Sequence, residues 1–241
     1  MRRPGVLDGL EAIITGSSSG IGRATTELLL QHGASVVGIA RDHAKFSPAS
    51  DRYEPITLDL SDLDTAATAL DRLARVHDNV GAVISNAGAG RFGAIEQFSA
   101  AQIRHDIDLN LTSHLLVARS FLPVLKQRNG GDLIIMGSES ALRGARTGSV
   151  YCAAKFGLRG AAQALADECA RRGVRVTLVN PGLVRTPFFD NLDFEPGDDP
   201  GNALSPDDVA ATVLEILATP RGPAYREINI DPPNPAVRSK G

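Results

Sequence analysis

Short runs of β-branched and apolar residues alternate along the chain with longer Ala- and Leu-rich stretches. Ala12-Ile13-Ile14 gives way to a helical pattern from Arg23 to His32, and this to a second apolar run from Ser35 to Ala40. Strands covered on both faces read as nearly continuous apolar runs, and parallel neighbours need a crossover, usually helical, between them. The same rhythm predicts strands at Pro55 to Leu58, Gly81 to Ser85, Asp132 to Gly137, Arg175 to Val179 and Arg226 to Ile230, with helices between most of them. The expected fold class is therefore α/β, a doubly wound parallel sheet of about seven strands with helices on both faces. No linker or internal repeat interrupts the pattern, so residues 1–241 are expected to form one domain.

One long stretch breaks the rhythm. Residues 187–206 are rich in Asp, Gly and Pro yet carry Phe188, Phe189, Leu192 and Phe194. Irregular segments of that length are commonly functional, and four apolar side chains argue against a purely solvated loop, so a lid packed over a ligand is expected. The tail after Asp231, with Pro232, Pro233 and Pro235, reads as a non-helical end.

Composition narrows the classes. With 43% hydrophobic and 22% charged residues the chain can bury a core and does not resemble a disordered protein. A net charge of -3 provides no attraction for nucleic acid, and no such partner is expected. Cys152 and Cys169 are too few for a disulfide framework and read as buried, inert thiols; no His/Cys cluster has zinc spacing, and no metal is expected. Met1 to Gly5 is basic but is followed by Asp8 and Glu11 rather than a signal-type apolar segment, and no run reaches the roughly 20 apolar residues of a membrane span. A cytoplasmic protein without a membrane partner is expected.

The chemistry-bearing residues begin where the first strand ends, at Thr15-Gly16-Ser17-Ser18-Ser19-Gly20-Ile21-Gly22. Glycines there permit a tight turn and close backbone approach, while the N-terminus of the following helix offers unpaired N–H groups to a pyrophosphate. The spacing is Gly-x-x-x-Gly-x-Gly. Downstream come Ser85-Asn86-Ala87-Gly88 after the fourth strand, Asn110 within a helical stretch, Ser138 at the end of the fifth strand, Tyr151-Cys152-Ala153-Ala154-Lys155, and Pro181-Gly182 followed by Val184 and Thr186. In this order and spacing the chain resembles the short-chain dehydrogenase/reductase family, whose Rossmann-type fold matches the one expected from the strand pattern.

Tyr151 and Lys155, four apart, project from one face of a helix. A phenol ionises near pH 10, and an ammonium beside it favours phenolate, so Tyr151 is a credible general acid/base whose ionisation is expected to be eased by Lys155. The resemblance implies more. Ser138, preferred to its neighbour Ser140 for its distance from the tyrosine, would hydrogen-bond the substrate oxygen. Asn110 would link Lys155 through water to solvent, and Lys155 would also hold the nicotinamide ribose. Gly16, Ser18, Ser19, Gly20 and Ile21 would cradle the pyrophosphate, with Asp59 and Leu60 at the adenine. Asn86, Ala87 and Gly88 would support the adenosine side and the central strand, and Pro181, Gly182, Val184 and Thr186 the nicotinamide end.

The second strand ends at Ala40, followed by Arg41-Asp42. An acid at the strand end would bind both ribose hydroxyls and repel a 2′-phosphate, whereas a nearby Arg welcomes it. Arg41 therefore favours NADP(H), with NAD(H) the alternative if Asp42 takes the ribose. The implied reaction interconverts a ketone or aldehyde and an alcohol; the alternative is a catalytically silent nucleotide-sensing protein on the same fold. A sugar-nucleotide epimerase or dehydratase fits less well, because its Gly spacing differs and it needs a larger C-terminal region. Acidic residues Asp190, Asp193, Glu195, Asp198 and Asp199 in the lid disfavour polyanionic carriers and point to a neutral small-molecule ketone or secondary alcohol. A homodimer or homotetramer is implied by resemblance, with Ala161, Ala162, Ala164 and Ala166 small enough for close helix packing, either between subunits or inside one.

Overall fold

A computed structural model describes residues 6–44 and 46–240; the basic stretch Met1 to Gly5 lies outside them. In chain order the main elements are β1 (Glu11–Thr15), α1 (Gly20–Gln31), β2 (Ser35–Ala40), β3 (Tyr53–Thr57), α2 (Leu63–Val76), β4 (Ala82–Ser85), α3 (Ala100–Ile107) and α4 (Ser113–Gln127). They continue with β5 (Gly131–Met136), α5 (Ser149–Cys169), β6 (Val174–Pro181), β7 (Phe194–Pro196), α6 (Pro206–Ala218), β8 (Glu227–Ile230) and β9 (Val237–Ser239). Seven strands form one parallel sheet in the order β3-β2-β1-β4-β5-β6-β8. This is the doubly wound arrangement anticipated from the alternation of apolar runs.

The inner strands β1, β2, β4, β5 and β6 are buried on both faces, and alternate residues feed two separate cores. Ile13, Val83, Leu133, Ile135 and Val176 pack with Leu70 of α2, Phe121 of α4 and Leu158 of α5. Ile14, Ile84, Ile134 and Val179 face the other way, onto Leu29 of α1 and Val213 of α6. A one-residue slip of any central strand would exchange its two faces, so packing fixes the register that brings the strand ends level. The chain order reverses between β1 and β4. The crevice beyond the carboxyl ends of such neighbouring strands is where open α/β sheets bind ligands.

Two departures from the sequence expectation concern the C-terminal part. Within residues 187–206, read as irregular, there are two short 3-10 turns, Pro187–Phe189 and Pro200–Asn202, and the strand β7. The non-helical tail contributes β9, which pairs antiparallel with β7 through Phe194 opposite Ser239 and Pro196 opposite Val237. Lys240 adds an ammonium contact to the Phe189 and Asp190 carbonyls, and Asn202 Nδ2 donates to Asn234 O at 2.8 Å. Neither three-residue strand has a sequence signature of its own, because each exists only through pairing with the other.

Among the described residues no helix is long and apolar enough to cross a membrane. Cys152 and Cys169 are buried free thiols. Of the small residues expected to admit a partner helix, Ala162 and Ala166 instead pack into the chain's own core, while Ala164 is exposed.

Candidate active site

The Gly-rich turn is built for contact between backbones. Gly16 has φ +68°, a conformation costly for a residue with a Cβ, and leads into a turn closed by Gly16 N–H donating to Ile39 O at 2.8 Å. A Cβ on Gly22 would overlap Gly16 O and crowd Asn86 Nδ2, so the first turn of α1 lies directly on the loop. Ser19 caps α1 without a side-chain hydrogen bond, and the first turn holds no acidic residue. The helix N-terminus with Ser18, Ser19, Gly20 and Ile21 therefore presents donors and a partial positive charge.

Thr15 fastens this loop to the next strand. Its hydroxyl accepts from Asn86 N at 2.9 Å and Ala87 N at 3.0 Å, while Asn86 Nδ2 donates to Thr15 O at 2.9 Å. Asn110 stands in a π-helical turn, Asp108–Thr112, between α3 and α4. Its Oδ1 accepts from Ala89 N at 3.2 Å, and Nδ2 donates to Ala89 O and Asp106 O, both at 2.9 Å. The side chain thereby holds the backbone immediately after Gly88. Such π turns recur at functional sites.

Ser138, Tyr151 and Lys155 converge beyond β5. The Ser138 side chain lies beside Tyr151 and favours its ionised form, and Ser138 Oγ accepts from Ser140 N at 3.2 Å. Lys155 is buried, donates to Met136 O at 3.0 Å and sits 5.7 Å from the centre of the Tyr151 ring. The expectation that Lys155 eases ionisation of the phenol is overturned. Tyr151 is pushed up to about 12, chiefly by burial, with the neighbouring Ser138 side chain only partly opposing it and Cys152 and Glu139 acting in the same direction as burial. The ammonium faces a carbonyl and the ring rather than replacing the lost hydration of the phenolate. Burial also lowers Lys155 to about 8.

A model of the short chain dehydrogenase family matches residues 11–196. The chain belongs to that family of oxidoreductases. This short-chain dehydrogenase is 31% identical over 225 residues to an uncharacterized oxidoreductase of Staphylococcus epidermidis, covering 92% of this chain and 96% of the relative. Its fold matches a putative NAD(P)-dependent gluconate 5-dehydrogenase from Beutenbergia cavernae, solved with NADP at low occupancy. That match has TM-score 0.83 and 27% identity over 95% of this chain and 97% of the other. A metagenomic short-chain oxidoreductase in complex with NADP matches with TM-score 0.81 and 28% identity, covering 94% and 98%.

In this short-chain dehydrogenase the remaining motif residues also line the crevice or its supports. Gly182 N–H donates to Ile230 O at 2.8 Å, Val184 bridges Leu204, and the Thr186 side chain lies 3.1 Å from where a Cβ of Gly20 would stand. The segment from Pro181 to Thr186 thus returns to the Gly-rich turn. Asp59 is exposed, whereas Leu60 is packed in the core beside α2. Desolvation works to raise the Asp59 carboxyl, but the Ser61 N–H and hydroxyl and the charges of Arg41 and His105 hold it below the usual range.

Two supporting residues were not singled out from the sequence. Asn180, fully buried, accepts from Ser138 N at 3.3 Å and donates to Glu227 at 3.0 Å and Asn229 at 2.9 Å, which fixes the backbone of Ser138. His114 bridges Ser85 Oγ and Ala87 O, each at 2.8 Å; burial and the nearby Lys155 charge depress it to about 3, so it supports the turn as a neutral ring. A polar residue inside an apolar run was the available signal for both.

Proposed function

We propose that this short-chain dehydrogenase is an NADP(H)-dependent oxidoreductase interconverting a ketone or aldehyde and the corresponding alcohol, with Tyr151 as general acid/base. The observation that carries this reading is the convergence of Ser138, Tyr151 and Lys155 at the crevice that also holds the Gly-rich turn. The residues fit a dinucleotide: Gly16 and Gly22 keep the backbone bare of side chains, and the start of α1 carries no acid. When bound, the nicotinamide supplies or accepts the hydride.

The chain supplies the rest. Ser138 orients the carbonyl and stabilises charge growing on its oxygen. Tyr151, held neutral by burial, keeps its proton until that oxygen becomes basic enough to take it, and recovers it in alcohol oxidation. Lys155, protonated below about pH 8, places a positive charge 5.7 Å from the centre of the Tyr151 ring and would hold the nicotinamide ribose. Asn110 and Asn180 hold the two backbone segments between which this occurs. A protein that only sensed nucleotide would have no use for the Ser138–Tyr151–Lys155 cluster.

NADP(H) is favoured over NAD(H) by the end of β2. No acid follows Ala40 directly, Arg41 is exposed, and its charge reaches Asp59. The Asp42 carboxylate is turned back onto Ala44 N at 2.7 Å, away from a ribose role. The NADP bound in two similar solved structures supports the same choice. Titration of NADPH and NADH by their own emission should give tighter NADPH binding, and Arg41→Ala should remove about 10-fold of it. Tighter NADH binding, unaffected by Arg41→Ala, would reverse the cofactor assignment. Leu115 on α4 and Phe156 on α5 are exposed apolar residues and support self-association as a homodimer or homotetramer.

A further inference from the structure

Four of the chain's eight phenylalanines gather around Tyr151. Phe92 lies 5.6 Å from the Tyr151 ring, Phe194 5.2 Å from Phe92, Phe189 5.8 Å from Phe194, Phe188 5.2 Å from Phe189, and Tyr151 5.8 Å from Phe188. The contacts close into a five-ring circuit with the proposed acid/base as one member. Three separated parts of the chain supply it: the segment after Gly88, the N-terminal turn of α5, and residues 187–206. Its placement is tight. Phe188 lies so close on Gly90 that any Cβ there would overlap the ring, and Phe92 rests 3.1 Å from where a Gly148 Cβ would be.

We propose that this site takes neutral ketones bearing an aryl ring beside the carbonyl, and the matching secondary alcohols, with that ring seated inside the phenylalanine circuit against Tyr151. The inference rests on the oxidoreductase reading and narrows its substrate. Phe189 is buried, while Phe92, Phe188 and Phe194 are partly exposed and can be reached from outside. Neighbouring rings meet at 46° to 84°, alternating edges and faces, so an entering ring meets the same kind of contact that these rings make with one another. Each aromatic pair is worth roughly 2- to 12-fold in affinity beyond its buried area, which distinguishes a phenyl from a cyclohexyl group of similar size.

The polar surroundings exclude other classes. Phenyl faces offer no partner for the hydroxyls of a polyol, which would lose water without replacement. The lid acids are drawn elsewhere: Arg238 pairs with Glu195 at 2.6 Å and with Asp198 at 3.4 Å. Their charge is thus partly neutralised, so the preference for a neutral substrate rests on the rings more than on the acidic lid. A carboxylate would lie among these rings near Glu139, which is already negative and pairs outward with Arg143 at 2.8 Å.

The test compares acetophenone, cyclohexyl methyl ketone, dihydroxyacetone and 4-acetylbenzoate in NADPH-supported turnover. In parallel, calorimetry measures binding of 1-phenylethanol and 1-cyclohexylethanol to the NADP-saturated protein. The aryl ketone should exceed its cyclohexyl analogue by about 10-fold in kcat/KM and the other two by more, and 1-phenylethanol should bind about 10-fold tighter than its analogue. Phe92→Leu and Phe188→Leu should each bring both ratios toward one. Equal or reversed ratios, or a preference for the polyol or the anion, would overturn the inference while leaving the oxidoreductase reading intact. Aryl-selective binding without turnover of any ketone would instead contradict the oxidoreductase reading and keep the aryl site; no aryl-selective binding and no turnover would remove both.

Discussion

The two sides of the crevice are held by different forces. On the nucleotide-facing side, β1, β2 and β4 are central parallel strands, and their ends are locked by main-chain contacts: Gly16 on Ile39, Gly22 on Gly16, and Thr15 on Asn86 and Ala87. The opposite side, formed by residues 187–206 and the tail, hangs on a two-stranded ribbon, a few contacts from the tail, and the packing of phenyl rings. The first side has no room to adjust; the second is joined by elements that are marginal in isolation. A rigid nucleotide shelf facing a closure that can open at low cost suits an enzyme whose cofactor is common to many reactions and whose substrate is not.

Breaking the shelf should have the largest effect. Gly22→Ala places a methyl against Gly16 O and Asn86 Nδ2, and should cost about 3 kcal/mol in denaturant melts and abolish NADPH binding. Gly160→Ala in α5, where nothing lies within 4 Å, is the control and should be neutral or stabilising. A tolerated Gly22→Ala would show that the shelf is less rigid than described.

Lys155 sits on the seam between the two sides. Its value falls from 10.5 unfolded to about 8 folded, so burying the ammonium carries a full cost below pH 8 that fades between pH 8 and 10.5. Lys155→Met should therefore stabilise the protein at pH 7 by about 2 kcal/mol, allowing for the lost bond to Met136, with the advantage vanishing by pH 10.5 while turnover is lost. A destabilised variant at pH 7 would mean that the ammonium is better solvated than its burial implies.

Truncation after Asn234 tests the opposite side with the smallest effect on stability. It removes β9 and the Lys240 contacts, and should lower global stability by no more than about 1 kcal/mol, since residues 194–196 pair with nothing in the main sheet. Amide exchange at residues 188–196 should accelerate and KM should rise, with NADPH affinity unchanged. Uniform loss of stability would join the tail to the main cooperative unit and erase the contrast.

This difference in construction explains what could be read from the amino-acid order. β1, β2, β4, β5 and β6 were placed within two residues at each end, because strands covered on both faces are written as apolar runs. The Gly-rich turn and the Tyr151–Lys155 pair were legible from backbone geometry and a four-residue spacing, whereas Asn86 and Ser138 were legible only through resemblance to the family. β3 and β8 also lie within two residues of the expected bounds, although both are edge strands and β3 exposes Glu54. The ribbon and the five-ring circuit were illegible. Phe92, Tyr151 and Phe194 are far apart in sequence, and only the tertiary fold brings their rings together. The raised Tyr151 likewise depended on how deeply the rings bury it, a quantity that a four-residue spacing to Lys155 does not contain.

The most direct measurement is the pair of NADPH affinity and reductive turnover for Tyr151→Phe, using any ketone the wild type reduces. Removing one hydroxyl leaves the ring circuit in place, so NADPH affinity should stay within about 3-fold while kcat falls by about 10²- to 10⁴-fold. Turnover retained in the variant would contradict the assignment of Tyr151 as the proton donor, and with it the central account of this site.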